Sequence, residues 1–171
     1  MKKVIKVKLD PRSIADAITE LQMYKEDIER RVALIVRKLT DSGVTIARAK
    51  VQSYDAVYSG DLLNSIDGYM DGSVGIIRVN SDYAVFVEFG TGPVGKEKSH
   101  PSDINVTYRE TPWYTQADGK PMDVIYGWTP YEGEDGSIYY LAYGQPAKPF
   151  MYETAQELRG KLPTLIKEVF G

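Results

Sequence analysis

Residues 26–53, EDIERRVALIVRKLTDSGVTIARAKVQS, carry the longest regular apolar pattern in the chain. Apolar side chains recur at alternating spacings of four and three, at positions 28, 32, 35, 39, 46 and 49, with Ser42 filling one place in the series. This spacing places them on one face of a helix, and the charged residues lie mostly off it. We therefore predict a long helix over Glu26–Ser53. Its stripe covers either the chain's own sheet, the simpler interpretation, or a coiled-coil partner.

A strand and a first helix are predicted before this stripe. Apolar residues alternate with lysines over residues 5–9, which is typical of a strand with one wet face. Asp10 and Pro11 then supply an N-cap and a proline at the first helical position. Apolar residues recur on one face over residues 14–21, so a helix follows. Gly43 is expected to weaken the longer helix by about 1 kcal/mol relative to alanine.

Turn signals divide the middle of the chain. We predict a turn and a short helical piece over residues 59–66, then a hairpin at Asp71 and Gly72 with a returning strand over residues 74–79. The apolar run Tyr83–Phe89 is interpreted as a further strand, and the glycine-rich stretch 90–93 as the turn that ends it.

Residues 94–145 differ in character, because prolines, Asp-Gly pairs at 118–119 and 135–136 and aromatic runs alternate there. They predict two or three short strands. A last helix opens at Pro149, and Pro163 is expected to bend or split it. The fold class is therefore α+β, with long N-terminal and C-terminal helices packed on a small, mainly antiparallel sheet. We predict one domain, 1–171, with a core of 1–93 and 145–171 and a β-rich aromatic insertion at about 94–144.

The composition excludes several classes of protein. The net charge of −3 argues against a nucleic-acid binder, and the absence of cysteine excludes disulfides and thiolate metal sites. No apolar stretch approaches the roughly 20 residues that a membrane helix needs, and Lys6 and Lys8 interrupt any secretory signal. Tyrosine is abundant at 13 residues. Aromatic residues suit strands, but they also suit contact surfaces. Candidate subunit contacts are Trp113, Trp128, Tyr139 and Tyr140.

The stretch Gly90–Lys96, GTGPVGK, resembles a phosphate-binding loop. Such a loop needs Ser or Thr after the lysine, but Glu97 stands there and would repel a phosphate. It must also open a helix, which Pro101 disfavours. We therefore interpret the stretch as a tight turn, and a nucleotide-dependent enzyme is a remote alternative.

Other catalytic constellations are weak. His100 is the only histidine and is predicted to be a solvated loop residue. The acidic turn around Glu132 and Asp135 does not match a calcium loop and is expected to be solvated. Glu88 is a carboxylate inside an apolar run. It could serve a small glycan or peptidoglycan hydrolase as a pair with Glu132 or Asp135, and a structural role explains it equally well.

Three segments in this order carry a resemblance: SGDLLNSI at 59–66, YAVFVEFGTG at 83–92 and PAKPF at 146–150. Together they resemble the tail-component or neck (tail-completion) proteins of long-tailed bacteriophages and prophages. The resemblance covers roughly residues 10–92 and 145–171, and the intervening insertion has no counterpart in it.

The resemblance implies a virion structural protein, not an enzyme, without cofactor or metal. It implies assembly in the bacterial host cytoplasm, a place at the head–tail junction or proximal tail, and self-association into a ring. The implied partners are phage connector, tail-tube or tail-terminator proteins, with no sequence-specific nucleic acid and no membrane. A neck protein and a tail terminator both fit.

Three groups of motif residues are then expected to be structural. They are Ser59 and Gly60 at a turn, Tyr83, Glu88, Gly90 and Thr91 at a strand-to-loop corner, and Pro149 and Phe150 anchoring the last helix against the sheet. Glu88 is expected to accept backbone or hydroxyl hydrogen bonds there.

Overall fold

Two long helices lie side by side, and short helices and two small sheets are arranged around them. A computed structural model describes residues 4–54, 60–116 and 122–171. In chain order the elements are α1 (Pro11–Ser53), α2 (Asp61–Asn64), β1 (Ile66–Asp71), β2 (Val74–Val79), α3 (Ala84–Phe89), α4 (Gly92–Glu97), β3 (Trp113–Gln116), α5 (Met122–Tyr126), β4 (Thr129–Glu132), β5 (Ile138–Ala142) and α6 (Phe150–Phe170). The predicted α+β class is confirmed.

The first element, α1, is one continuous helix of 43 residues. Its start is as predicted, because Asp10 is the N-cap and its carboxylate accepts the Ser13 N–H at 2.9 Å. The predicted division into two helices is wrong. Among residues 22–25, Gln-Met-Tyr-Lys, only the lysine falls at a position of the stripe, so the apolar pattern is interrupted there. All four residues nevertheless tolerate a helix, and no glycine or proline breaks it.

The strand predicted over residues 5–9 is absent, because residues 4–8 adopt no regular structure. Leu9 is fully exposed. The Lys8 N–H donates to the Ser13 hydroxyl at 2.8 Å, which ties the segment to the start of α1. Alternation alone makes no strand without a neighbouring strand, and residues 4–8 pair with none of the described strands.

The last helix, α6, runs antiparallel to α1 and packs along its C-terminal half. Lys50 forms a salt bridge with Glu153 at 3.0 Å near one end of the contact. At the other end, Arg31 donates to the Val169 carbonyl at 2.7 Å. The helix continues through Pro163, so the predicted split does not occur.

The predicted hairpin is confirmed, with β1 and β2 antiparallel and joined by Gly72 and Ser73. It packs on α1, and Gly43 permits the close approach. A Cβ atom at Gly43 would lie 2.2 Å from Ile77 Cδ1 of β2. This glycine, predicted only to weaken the helix, thus makes room for the hairpin.

A separate three-stranded sheet has the order β3-β5-β4, all antiparallel. Its strands agree with the short strands predicted between residues 94 and 145, and Gly136 lies in the turn between β4 and β5 with φ of 74°. The short helix α5 was not predicted. The Asp-Gly pair at 118–119 lies outside the described residues.

The run Tyr83–Phe89, predicted as a strand, forms helix α3 instead. Ala84, Val87 and Glu88 are buried, whereas Val85 and Phe86 are 61% and 54% exposed. Buried positions at i, i+3 and i+4 form one helical face, which a strand could not present. A short all-apolar run does not distinguish the two structures by periodicity.

The main core lies where the C-terminal end of α1, α2, the start of β1, α3 and the start of α6 meet. Its buried side chains are Ala47, Val51, Leu62, Ile66, Ala84, Val87 and Phe150. Phe150 is 1% exposed and therefore anchors α6 as expected. The other buried side chains of this cluster lie on helices except for Ile66 of β1, so the predicted anchoring against the sheet is only a small part of the packing around Phe150.

Candidate functional site

The carboxylate of Glu88 lies at the N-terminus of α6. It accepts the Met151 N–H at 2.9 Å and the Tyr152 N–H at 2.9 Å, one on each oxygen. The first turn of a helix leaves N–H groups without partners, and the helix dipole favours a negative charge there. The preceding residue, Pro149, provides no side-chain cap. Glu88, on α3, therefore caps α6 from a distant part of the chain, and its predicted role as a backbone acceptor is confirmed.

His100 is buried against Glu88, so its predicted place in a solvated loop is wrong. Its Nε2 lies 3.1 Å from Glu88 Oε1, and its side chain is 4% exposed. The Ser102 N–H donates to Nδ1 at 3.1 Å, which assigns the ring proton to Nε2. The imidazole contacts the rings of Phe89 and Tyr152, with centroids at 4.5 Å and 5.2 Å. These two rings shield the pair from water.

An antiparallel bridge between Thr91 and Gln145 closes the base of the predicted insertion. The Thr91 N–H donates to the Gln145 carbonyl at 2.9 Å, and the Gln145 N–H donates back to the Thr91 carbonyl at 3.1 Å. Gly90, just before the bridge, has φ of 76°, and a Cβ atom there would lie 2.6 Å from the Ala147 nitrogen. Only glycine fits this passage of two backbones.

Tyr83 connects the second motif to the first. Its hydroxyl accepts the Leu62 N–H of α2 at 2.9 Å. Gly60, which precedes α2, has φ of 78° and makes the turn that was predicted there. Ser59 lies outside the described residues.

The three motif segments thus meet in one place, which we call the motif junction: Leu62, Tyr83, Glu88, Thr91, Gln145 and Phe150. The Tyr83 hydroxyl joins the second segment to the first, and the Lys148 N–H, which donates to the Val87 carbonyl at 2.8 Å, joins the third segment to the second. The corner that Tyr83, Glu88, Gly90 and Thr91 hold leads from a helix, α3, into a loop, and the predicted strand-to-loop geometry is wrong.

The motif junction offers little for catalysis. Each Glu88 oxygen already accepts hydrogen bonds, and its side chain is 10% exposed. Its proposed catalytic partners, Glu132 and Asp135, are exposed at the turn region of β4 and β5. The Ser137 backbone N–H holds the pKa of Asp135 below its ordinary value, as expected of a carboxylate that caps a turn.

The glycine-rich loop opens the short helix α4, which ends at Glu97 before the proline that was expected to exclude it. Lys96, the lysine of the supposed phosphate loop, pairs instead with Glu110 at 2.6 Å. The hydrogen bond from Lys96 lowers the pKa of Glu110. Within residues 4–54, 60–116 and 122–171, no cluster of three potential metal ligands from His, Asp or Glu occurs.

The four aromatic contact candidates have different surroundings. Trp113 is half-buried, with the Arg109 guanidinium 5.1 Å from its ring centroid. Trp128 and Tyr139 are also half-buried. Tyr140 is only 9% exposed, so it is a core residue and does not fit a subunit contact.

Two tyrosines that sequence reasoning passed over are more exposed. Tyr114 and Tyr131 are 62% and 57% exposed, and their rings lie 5.9 Å apart. The strand register places them with Tyr139 on the same face of the β3-β5-β4 sheet. The sequence signal for this face was that Trp113 and Tyr114 are neighbours on a predicted strand, so their side chains point to opposite faces of the sheet.

A polar group at the other side of the α6 start was also missed. The Tyr54 hydroxyl donates to Glu153 at 2.5 Å, and Lys50 pairs with the same carboxylate. These hydrogen bonds, that from Tyr54 first, lower the pKa of Glu153. Burial, then the hydrogen bond to Glu153, raises the pKa of Tyr54 to about 12.

In the part of the chain that the structure describes, no helix combines the length and apolarity needed to cross a membrane. Comparison with known proteins returned nothing: no protein-family model, no curated protein and no solved structure matches this chain.

Proposed function

We propose that this chain is a virion structural protein of a tailed phage or prophage that acts in head–tail joining or tail completion. It works by self-assembly into a ring and by contacts with connector, tail-tube or tail-terminator proteins. Its place is the head–tail junction or the proximal end of the tail, and its action involves no chemical step.

The observation that carries the proposal is the motif junction. The three segments on which the family resemblance rests lie apart in sequence, yet the middle segment bonds to each of the other two, to the third through the Lys148 N–H, which donates to the Val87 carbonyl at 2.8 Å. The Tyr83 hydroxyl accepts the Leu62 N–H, and Glu88 caps the helix that Phe150 begins. Because these residues are buried or bonded within the chain, the motifs serve to hold the fold together. A scaffold of this kind supports a protein that acts through its outer surface.

Two exposed apolar surfaces favour such a protein. One is the tyrosine face of the β3-β5-β4 sheet, with Tyr114 and Tyr131. The other is the N-terminal half of α1, where several large apolar side chains are exposed. Large exposed apolar and aromatic patches mark sites of protein contact.

The test combines the native mass of the purified chain with negative-stain imaging. The chain is imaged alone and after mixing with the connector and tail-tube proteins encoded in the same genome. We expect ring-shaped particles, or decoration of connector or tail ends. A second arm of the test is the double variant Tyr114→Ser, Tyr131→Ser. It is expected to fold normally and to bind these partners less.

A particle that stays monomeric and binds neither connector nor tail tube would contradict the proposal. A turnover of glycan or peptidoglycan by the purified chain, abolished by Glu88→Gln, would contradict it from the other side.

A further inference from the structure

The N-terminal half of α1 extends past the end of α6. Helix α6 runs along α1 only as far as Arg31, which donates to the Val169 carbonyl and lies 5.8 Å from the Phe170 ring centroid. Most of residues 11–32 of α1, which we call the arm, therefore lies past the end of α6. At 1.5 Å per residue the arm is about 30 Å long.

The apolar stripe of α1 does not stop where α6 stops. It continues along the arm with the same alternating spacing of four and three, which is the heptad pattern of a helix-to-helix seam. On the arm the seam positions are Ile14, Ile18, Leu21, Lys25, Ile28 and Val32. The apolar members are 36–56% exposed. In the half that α6 and the hairpin cover, by contrast, Ile35 and Ile46 are 6% and 8% exposed.

We propose that a second copy of this chain covers the exposed seam, with the two arms packed antiparallel. The inference deepens the proposed function and rests on it, since it assigns a surface to self-association. Continuity with α6 supports it, because α6 covers the inner half of the seam in the antiparallel direction. The partner's arm would continue that packing from the point where α6 ends.

The arm is self-complementary in this orientation. An antiparallel pair centred near Met23 places Ile14 opposite Val32, and Ile18 opposite Ile28. The positions beside the seam are small or uncharged over most of the arm, at Ala15, Ala17, Gln22 and Tyr24. Such neighbours widen the apolar contact and oppose no like charges across it.

Lys25 decides between the two orientations. In a parallel pair this seam position faces its own copy, which sets two ammonium groups side by side. In the antiparallel pair it faces Leu21, so that its aliphatic stem packs on the leucine while its ammonium reaches the carboxylate of Glu29 on its own helix, now 3.6 Å away. The geometry therefore favours the antiparallel arrangement.

A two-fold contact of this kind closes on itself and joins two copies. Neighbours around a ring must then use another surface, for which the tyrosine face of the β3-β5-β4 sheet is available. The arm contact and the ring contact are separate, and each can be lost without the other.

The first test is the native mass of the full chain and of two variants. Ile18→Glu places a charge opposite the partner's Ile28 in the seam and is expected to halve the mass of the arm-paired species. Met23→Glu is the matched control, because Met23 is 64% exposed on the side of the arm turned away from the seam. We expect it to leave the mass unchanged. Circular dichroism checks that both variants fold.

The second test uses cross-linking, for which the chain is suited because it contains no cysteine. A mixture of Ile14→Cys and Val32→Cys chains is expected to form a covalent dimer under mild oxidation. Ile14→Cys alone is expected to form none, because its two copies would lie at opposite ends of the pair. A parallel arrangement would instead join two copies of Ile14→Cys to each other, and a covalent dimer of that variant alone would overturn the inference.

Other outcomes separate this inference from the proposed function. An oligomer whose mass is unaffected by Ile18→Glu refutes arm pairing and leaves the ring proposal intact. The seam has a different occupant if the wild-type chain is monomeric alone and the thiol of the Ile14→Cys variant is protected only by a connector or tail protein. That result overturns arm pairing while it supports the proposed function.

Discussion

A single carboxylate holds together two parts of the chain that are far apart in sequence. Glu88 accepts the N–H groups of Met151 and Tyr152 and contacts the His100 ring. Glu88→Ala leaves these donors buried without an acceptor. We expect a loss of about 2–4 kcal/mol in the free energy of unfolding, measured by urea denaturation. Glu88→Gln keeps one acceptor oxygen and is expected to lose about half as much.

Glu97→Gln is the matched control, since it neutralises an exposed carboxylate in the next helix, α4. Its free energy of unfolding should stay within about 0.5 kcal/mol of the wild type. Equal effects of the substitutions at Glu88 and Glu97 would show that the cap contributes nothing.

The pH dependence of stability has a part that belongs to Tyr54 and Glu153. The pKa of Glu153 is lowered in the folded chain by its hydrogen bond from Tyr54, so the unfolded chain binds the proton more tightly. The stabilisation is therefore present above the ordinary value of 4.5 and is lost as the pH falls through the lowered pKa. The raised pKa of Tyr54, about 12, affects the stability at alkaline pH. Its contribution is present below pH 10 and is lost as the pH rises through the folded pKa.

Urea denaturation of wild type and Glu153→Gln between pH 3 and pH 7 checks the acid limb. The variant is expected to be less stable at pH 7 by up to about 1 kcal/mol, because the carboxylate is partly exposed and its ion pair is screened. The two stability curves should converge toward pH 3. A constant difference across the range would contradict the assignment.

For the individual side chains, the sequence predicted that Glu88 is a hydrogen-bond acceptor but not which groups donate to it. Its position inside an apolar run indicated burial with partners. The burial of His100 had no local signal, because the residue lies in a polar stretch between Ser99 and Pro101. Only the return of α6 beside α3 creates the enclosed place that the imidazole fills.

Among the elements, α6 offers a direct test of helix energetics. Gly160 lies inside the helix, and a Cβ atom there would meet nothing within 4 Å. Glycine in a helix costs about 1 kcal/mol relative to alanine because of its backbone freedom. Gly160→Ala is therefore expected to stabilise the chain by about 0.5–1 kcal/mol, seen as a higher thermal midpoint.

The comparison for this variant is Gly43→Ala in α1. The same gain in helix propensity is offset there, because the added methyl would lie 2.2 Å from Ile77 Cδ1 and force that side chain to move. We expect no stabilisation from it. A gain at Gly43 equal to that at Gly160 would mean that the hairpin does not press on α1.

The elements that the sequence predicted well have strong and local signals. Asp10 and Pro11 marked the start of α1, and Asp71 and Gly72 marked the hairpin. The strand predicted for residues 84–89 was wrong because every position except Glu88 is apolar, so the sequence shows no periodicity that distinguishes a strand from a helix. The strand predicted over residues 5–9 was wrong for a different reason. The residues alternate as in a strand, but none of the described strands pairs with them.

For the whole molecule, the β3-β5-β4 sheet is expected to be a removable module. Trp113 of β3 is paired with Ala142 of β5, so the two ends of the sheet lie side by side. Replacing residues 114–141 by an Asn-Gly turn should leave a chain that unfolds cooperatively. We expect its thermal midpoint, followed by circular dichroism, to fall by less than about 10 °C.

A larger excision, of residues 94–144, provides the contrast. It also removes His100 and Tyr108, whose hydroxyl donates to the Phe89 carbonyl at 2.8 Å. We expect this deletion to be clearly less stable than the smaller one. Equal stability would support the boundary at 94, and loss of cooperative unfolding in both would show that the sheet belongs to the core.

The α+β class and the presence of an aromatic β region followed from turn spacing and composition. The arrangement of the whole did not. That the strands form two separate sheets depends on which edges meet after folding, and β4 pairs with β5 while β3 lies on its other side. Such pairings join residues distant in sequence, and no local pattern records them.

The cover that α6 provides for α1 also has a consequence during synthesis on the ribosome. Roughly a hundred residues separate the two helices, which at translation rates of about 5–20 residues per second is a delay of about 5–20 s. Through that interval the stripe around Ile35 and Ile46 has no α6 to bury it. The nascent chain must therefore rely on the hairpin, on a chaperone or on a neighbouring nascent chain to keep this surface from aggregating.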